Sequence, residues 1–260
     1  MYKRQNRSLQ EIYKYCRDNQ LILNNAKSNV MVFNNPTNID YAGLFHINNT
    51  PIALTSFFRY LGFIIDDKLS FRKQACYISS KLSSCNSVLS RSSSFINSRY
   101  LQLLFNSIGL SYVIYSKYVI FHLPSSTTNV IKRRLLHSGS IIHSCLLSHV
   151  PVLFDLNSIL LYYIYCFIFK IIKLGFSPQL SSLLQFLPHS YLTRRNNDLY
   201  RSHVRSYTCQ RNFSFSCPTL WNNLPTKIRD CKNLEAFKIM LQKHLSFSPK
   251  LMLLLRLLSM

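Results

Sequence analysis

Apolar residues recur at alternate steps of four and three between residues 71 and 89, and this pattern constrains the fold most. Its members are Phe71, Ala75, Ile78, Leu82, Cys85 and Leu89. The spacing places them on one face of an α-helix, while Arg72, Lys73 and Lys81 lie off that face. An apolar stripe of this length must be buried against other elements, so the pattern predicts a helical core in the middle of the chain.

The rest of the chain favours further helices, because it contains only 5 glycines and 9 prolines and is 48% hydrophobic. Residues 9–20 are predicted to be the end of an amphipathic helix, with Leu9, Ile12, Tyr13 and Cys16 at helical spacing. Four more helices are predicted from periodicity and capping residues. They run from about Ser98 to Val119 with Leu101, Leu104, Phe105, Ile108, Tyr112 and Tyr115 on one side; from Thr127 or Thr128 through Ile131, Leu135 and Ile142; from about Asn157 to Leu174, ended by Gly175; and onward from Asn233.

Short strands are predicted before these helices. Val30–Phe33 and Phe57–Ile65 are rich in β-branched and aromatic residues, and Leu44–Ile47 and Pro51–Leu54 are separated as in a hairpin. Residues 189–217 have no clear period, which indicates loop or short strands. The predicted fold class is therefore α+β and mostly helical, with a small antiparallel sheet, a helical bundle and an irregular basic C-terminal module.

The charge of the chain is strongly unbalanced, with 31 Lys and Arg against 9 Asp and Glu and a formal net charge of +22. No acidic residue occurs between Asp67 and Asp155, an interval that carries ten basic ones. Such a field repels itself unless a polyanion neutralises it. Nucleic acid is the expected polyanion, since Lys and Arg contacts to phosphate release counterions. An anionic membrane, or compositional drift without function, are the alternatives.

No pattern in the chain predicts a metal centre. Asp66-Asp67 resembles a magnesium pair, but its plainer interpretation is a strand end with Asp67 at the start of the next helix. The spacing of His137, His143, Cys145 and His149 fits no familiar zinc arrangement, and Cys209, Cys217 and Cys231 lack a fourth ligand. The eight single cysteines are expected to be free thiols in a reducing compartment. Motifs of hydrolases, nucleotide-triphosphatases and dehydrogenases are absent.

No membrane span is predicted. The longest apolar run, Ile159–Phe169, falls well short of the roughly 20 residues that cross a bilayer, so we expect a buried helix. The N-terminus is basic and has no apolar core of a signal peptide. We expect an intracellular protein, nuclear or cytoplasmic, with residues 246–260 as an unstructured or read-through tail.

Three separated stretches carry a family resemblance. Gln20–Phe33 is QLILNNAKSNVMVF, Arg59–Phe71 is RYLGFIIDDKLSF, and Pro188–Leu245 contains HSYLTR, RNFSFSCPTLWNNLPTKIRDC and LEAFKIMLQKHL. In this order and near these separations they resemble the reverse transcriptases of jockey-like non-LTR retrotransposons. Phe71 departs from the family's usual tryptophan, and the segment after Leu245 does not resemble the family.

The resemblance implies a division of the chain. Residues 1–67 would be the end of the palm, residues 68–150 a thumb-like set of basic helices, and residues 151–245 a helical and irregular C-terminal module. Tyr60, Leu61 and Gly62 would form the primer grip, and Lys27 an accessory residue near the leaving pyrophosphate. The catalytic F/Y-A-D-D turn would lie upstream of residue 1, so no catalytic residue and no cofactor is expected here, although the parent enzyme uses Mg²⁺.

We therefore expect a catalytically incomplete RNA-directed DNA polymerase fragment that binds RNA–DNA or DNA duplexes through phosphate contacts and takes no small-molecule substrate. The basic residues expected to contact phosphates are Arg72, Lys73, Lys81, Lys132, Arg133, Arg134, Arg194 and Arg195. Two alternatives stay open: a basic helical nucleic-acid-binding protein co-opted by its host, and a pseudogene product that does not fold. The oligomeric state is not indicated by the sequence.

Overall fold

The computed structural model describes residues 2–33, 41, 43–144, 155–187, 198–204, 210 and 212–245. It is mostly helical with a few short strands, as the sequence predicts. Its contacts divide the chain into two compact units, residues 1–77 and residues 78–260, and the division falls inside one helix. We call them the N-terminal unit and the helical unit.

The N-terminal unit contains one long helix and three two-stranded sheets. Its elements are α1 (Tyr2–Asp18), a 3-10 turn (Asn25–Lys27), β1 (Asn29–Val30), β2 (His46–Ile47), β3 (Thr50–Pro51), β4 (Ala53–Leu54), β5 (Phe57–Tyr60), β6 (Phe63–Asp66) and the start of α2 (Arg72–Ser92). The pairs β2–β3 and β5–β6 are antiparallel, whereas β1–β4 is parallel, so the expectation of a wholly antiparallel sheet is wrong.

Two tight turns join the strands of the two antiparallel pairs, β2–β3 and β5–β6. Asn48 and Asn49 both adopt positive φ, which confirms the hairpin predicted at this point. The segment Phe57–Ile65, predicted as one strand, instead folds back at Leu61-Gly62 to give β5 and β6. The small buried core of the N-terminal unit consists of Phe45, Ile47 and Ile52.

The helical unit begins within α2, which confirms the helix predicted from the spacing of residues 71–89. Its further elements are α3 (Ser98–Leu104), a π-helical turn (Phe105–Gly109), α4 (Leu110–Tyr115), α5 (Lys117–Phe121), α6 (Ser125–Ser144), α7 (Leu156–Leu174), α8 (Pro178–Ser181), α9 (Phe213–Asn222), α10 (Thr226–Arg229) and α11 (Leu234–His244). The π-helical turn and a break at Ser116 interrupt the single helix expected between Ser98 and Val119.

Helix ends follow the expected capping chemistry in some places and differ in others. Asn233 caps α11 through its side chain, and Gly175 ends α7 with φ +61°, both as predicted. By contrast α6 begins at Ser125, ahead of the expected Thr127 or Thr128. The expectation of loop or strand up to residue 217 is wrong at its end, because α9 begins at Phe213.

The core of the helical unit is built around α7, where ten residues are buried. Trp221 and Phe237 stack with ring centroids 6.3 Å apart, and Phe237 also packs 4.4 Å from Phe169. By length and composition α7 is the one helix among the described residues that qualifies to cross a membrane, a test that core helices also pass. In the fold, 56% of its most apolar window is buried.

Candidate nucleic-acid interface

The residues predicted to grip a primer lie together at the tip of the β5–β6 hairpin. Leu61 (φ +47°) and Gly62 (φ +83°) occupy the two central positions of the turn, the backbone combination that matches the twist of paired strands. Tyr60 is 59% exposed and Leu61 is 77% exposed. The tip therefore presents an aromatic ring, an aliphatic side chain and an open glycine backbone to solvent.

The base of this hairpin packs on the first turns of α2. The Lys73 Nζ lies 3.2 Å from the centroid of the Phe57 ring, and the Arg59 guanidinium donates to the Tyr77 hydroxyl at 3.0 Å. The Ile64 N–H donates to the Gln74 Oε1 at 2.9 Å. Lys73 is thus engaged in a cation–π contact. Its neighbour Arg72 is exposed.

Asp66 has a structural part in the same region. Its carboxylate accepts the Ser70 N–H at 2.8 Å and the Phe71 N–H at 2.7 Å, and the residue is only 7% exposed. Charge-assisted bonds of this kind fix the loop that leads into α2. The helix begins at Arg72, so the expectation that Asp67 starts it is wrong.

Lys27, the predicted accessory residue, is exposed at the end of the 3-10 turn, and only Ser28 separates it from β1. The turn is held by Asn24, whose side chain accepts the Lys27 backbone N–H at 3.1 Å. Its position is that of a surface lysine beside a strand, and no catalytic group lies with it among the described contacts.

A second basic feature lies within the helical unit, in a groove of about 600 Å³ between α2 and α6. We call it the α2–α6 groove. Its lining residues are Ser83, Asn86, Ser87, Ser90, Arg91, Arg134 and His137. Since the sequence has no acidic residue between Asp67 and Asp155, neither helix can supply a carboxylate to neutralise the two arginines.

Asn86 holds the two walls of the groove together. Its Nδ2 donates to the Arg134 carbonyl oxygen at 3.0 Å, and its Oδ1 accepts from the Ser138 hydroxyl at 2.6 Å. Both Asn86 and Ser138 are buried. Buried, satisfied polar groups fix the register of neighbouring helices, so Arg91 and Arg134 are held on facing walls of one cleft.

The three consecutive basic residues of α6 do not share a face. Ile131, Leu135 and Ile142 are buried and define the inward side of the helix. At about 100° per residue, Lys132 and Arg134 project to opposite flanks and Arg133 projects to solvent. Only Arg134 lines the groove, together with His137 one turn later.

The other predicted phosphate-binding residues are dispersed. Lys81 is half-buried on α2, and it is not among the groove residues. Arg194 and Arg195 lie outside the described residues. The structure therefore brings one predicted cation, Arg134, into a formed cleft.

Sequence reasoning did not select Arg91, His137 and the serines as site residues. A signal was present, because Ser83, Ser87 and Ser90 recur at helical spacing on the side of α2 that carries Asn86. Serine hydroxyls and arginine guanidinium groups are both donors that suit phosphate oxygens.

Within the part of the chain that the structure describes, no group of three or more His, Cys, Asp or Glu side chains is placed to hold a metal ion. Cys145 and His149, from the cluster considered in the sequence, lie outside that part, as does Cys209. Asp66 is already bonded to backbone donors, so it does not fit the role of a magnesium ligand.

No family model matches this chain, and neither the curated proteins nor the solved structures contain a significant match to it.

Proposed function

We propose that this chain corresponds to the C-terminal part of a non-LTR retrotransposon reverse transcriptase and binds template–primer duplexes without sequence preference, with no polymerase chemistry of its own. The observation that supports duplex binding most directly is the α2–α6 groove. It holds two arginines, a histidine and three serines in one cleft, and no acidic residue is available from either helix.

Phosphate binding follows from the chemistry of these donors. Guanidinium groups bind phosphate oxygens in bidentate geometry, and hydroxyls add neutral hydrogen bonds that carry no sequence information. The Arg91 Nε already donates to the Ser87 carbonyl oxygen at 3.2 Å, which limits the motion of its side chain. A restrained arginine loses less conformational entropy when it binds a phosphate.

The hairpin tip extends the proposal to the primer. Tyr60 offers an exposed ring on which an unpaired base can stack, and Gly62 permits close approach of a backbone because it has no Cβ. No step through a metal ion is proposed, since the described residues hold no group of three or more His, Cys, Asp or Glu side chains placed for one.

The test is duplex binding measured by filter retention of an RNA–DNA hybrid across a salt series. The double variant Arg91→Gln/Arg134→Gln removes two groove cations, and the matched control Lys132→Gln/Arg133→Gln removes two charges from other faces of α6. Log affinity falls as log salt rises. We expect the groove variant to make this slope less negative by about two relative to the wild type, while the control changes it by less than about one.

Equal losses in the two double variants would mean that binding reflects net charge and not the groove, which would overturn the assignment of this cleft. Primer extension should remain at background for the wild type. A chain that shows no cooperative thermal transition would instead support the alternative of a product that does not fold.

A further inference from the structure

A second cavity lies inside the helical unit, away from the α2–α6 groove residues. It has a volume of about 250 Å³ and is formed by α4, α5, α7 and α11. Three lysines line it, one each from α5, α7 and α11: Lys117, Lys170 and Lys238. The aromatic rings of Tyr162, Tyr163 and Phe167 form much of the remaining wall.

The positive charge in this cavity is only partly neutralised. The Lys238 Nζ pairs with the Glu235 Oε1 at 2.9 Å, and the Lys238 side chain is 5% exposed. Among the described residues, Lys117 and Lys170 have no ion pair. Lys117 is half-buried, with its Nζ 3.5 Å from the Ile114 carbonyl oxygen and 5.2 Å from the Phe167 ring. Ammonium groups gathered in a partly buried space are costly unless an anion joins them.

We propose that this cavity binds a small phosphate-bearing molecule, with Lys117 and Lys170 as the charge partners. At roughly 30 Å³ per water, the volume equals that of about eight water molecules, which is more space than a phosphate ion alone occupies. The aromatic wall suits an apolar or aromatic body joined to the phosphate. This inference goes beyond duplex binding, for which the sequence predicts no small-molecule substrate.

The environment of Lys117 gives the site a pH dependence. Burial, and then the charge of Lys170, lowers the pKa of Lys117. The protonated form is the one that attracts the phosphate, so affinity falls as pH rises through this lowered pKa. Bound phosphate would raise the pKa again, and ligand binding near that pH would therefore take up protons.

The experiment uses the full chain and follows its melting temperature at constant ionic strength with phenyl phosphate, inorganic phosphate and phenol as probes. We expect saturable stabilisation by phenyl phosphate and none by phenol, because only a ligand that prefers the folded state raises the melting temperature. Comparable binding of inorganic phosphate would identify free phosphate as the ligand, and tighter binding of phenyl phosphate would identify a monoester.

Variants distinguish this site from general attraction to a basic protein. Lys170→Gln should weaken phenyl phosphate binding at least about tenfold, a charge-assisted contact being of that strength. Lys173→Gln, an exposed lysine on the same helix, is the matched control and should bind as the wild type does.

The proposal is overturned if Lys170→Gln and Lys173→Gln bind equally, or if no probe gives a saturable shift. The groove variant Arg91→Gln/Arg134→Gln should bind phenyl phosphate unchanged. Failure of duplex binding and failure of this site are therefore measured independently.

Discussion

The N-terminal unit and the helical unit are stabilised in different ways. The buried core cluster of the first consists of Phe45, Ile47 and Ile52, and large apolar side chains such as Ile22 are almost fully exposed. The second buries Trp221, Phe169 and Phe237 completely around α7. Turns and hydrogen bonds define the first unit, whereas burial of aromatic and aliphatic side chains defines the second.

This difference shows where the sequence specifies structure most strongly. Two-stranded sheets are marginal in water unless further strands or helices cover them. The helical unit buries enough apolar surface to be the stable part of the chain.

The largest expected effect comes from truncating one aromatic core residue in each unit and comparing the two losses of stability. Trp221→Ala should lower the free energy of unfolding by about 3–5 kcal/mol, because it removes a fully buried indole stacked on Phe237. Phe45→Ala should lower the free energy of unfolding by less, about 2 kcal/mol, because the few side chains that pack around Phe45 can relax into the space left. Urea unfolding followed by far-ultraviolet circular dichroism measures both. A larger loss for Phe45→Ala would reverse our ranking of the units.

A second prediction concerns alkaline pH and belongs to the helical unit alone. Burial raises the pKa of the thiols of Cys166 and Cys217 to about 12. The folded thiols stay protonated above the pH at which the unfolded ones ionise, so their stabilising effect is complete below about pH 9 and is lost as pH rises toward 12. We expect a loss on the order of 2–3 kcal/mol for each thiol by pH 11.

The pH prediction is checked by comparing melts of the wild type and of Cys166→Ala/Cys217→Ala between pH 8 and pH 11. The double variant should start less stable and lose less with pH. Parallel pH profiles for the two proteins would contradict the proposed role of the buried thiols.

The smallest expected effect probes the turn that shapes the N-terminal unit. Gly62→Ala should destabilise the turn by about 1 kcal/mol, because the backbone there has φ +83°, which residues with a Cβ rarely adopt. No atom lies within 4 Å of an added Cβ, so the effect comes from the backbone alone and not from a steric clash. Leu61→Asn should have the opposite sign, since asparagine tolerates positive φ better than leucine does. Hydrogen exchange of the β5 and β6 amides reports both. Slower exchange in Gly62→Ala would refute the assigned turn.

Local patterns allowed much of the helical architecture to be predicted. The spacing from Phe71 to Leu89, the glycine after Leu174 and the asparagine before Leu234 each encode a local event, a buried stripe, a left-handed ending and a cap. Residue patterns alone missed other features. The fold-back at Leu61-Gly62 lies inside an apolar run that also suits one strand, although the family resemblance implies a primer-grip hairpin with its tip at Tyr60–Gly62. Pro218 argues against the helix that forms around it.

The candidate site was predictable only in part. Composition predicts a polyanionic partner such as nucleic acid, but the cleft depends on Asn86 meeting Arg134 across a separation of 48 residues, and no periodicity reveals that pairing. Lys132, Arg133 and Arg134 are adjacent in the sequence, whereas the helix turns them to different sides. The sequence therefore gives the number of basic residues, but it does not show which of them share a surface in the fold.

The π-helical turn at Phe105–Gly109 carries one residue more than an α-helix uses for the same rise. Leu101 and Phe105 before or at its start and Leu110 and Val113 after it are buried, Asn106 and Gly109 within it are buried too, and Ile108 is 44% exposed. A deletion of one residue here would give a regular α-helix in which the flanking buried positions still share one face, whereas a deletion in either flanking helix would turn part of the buried side chains outward. Chain length in this segment can consequently vary at a single place.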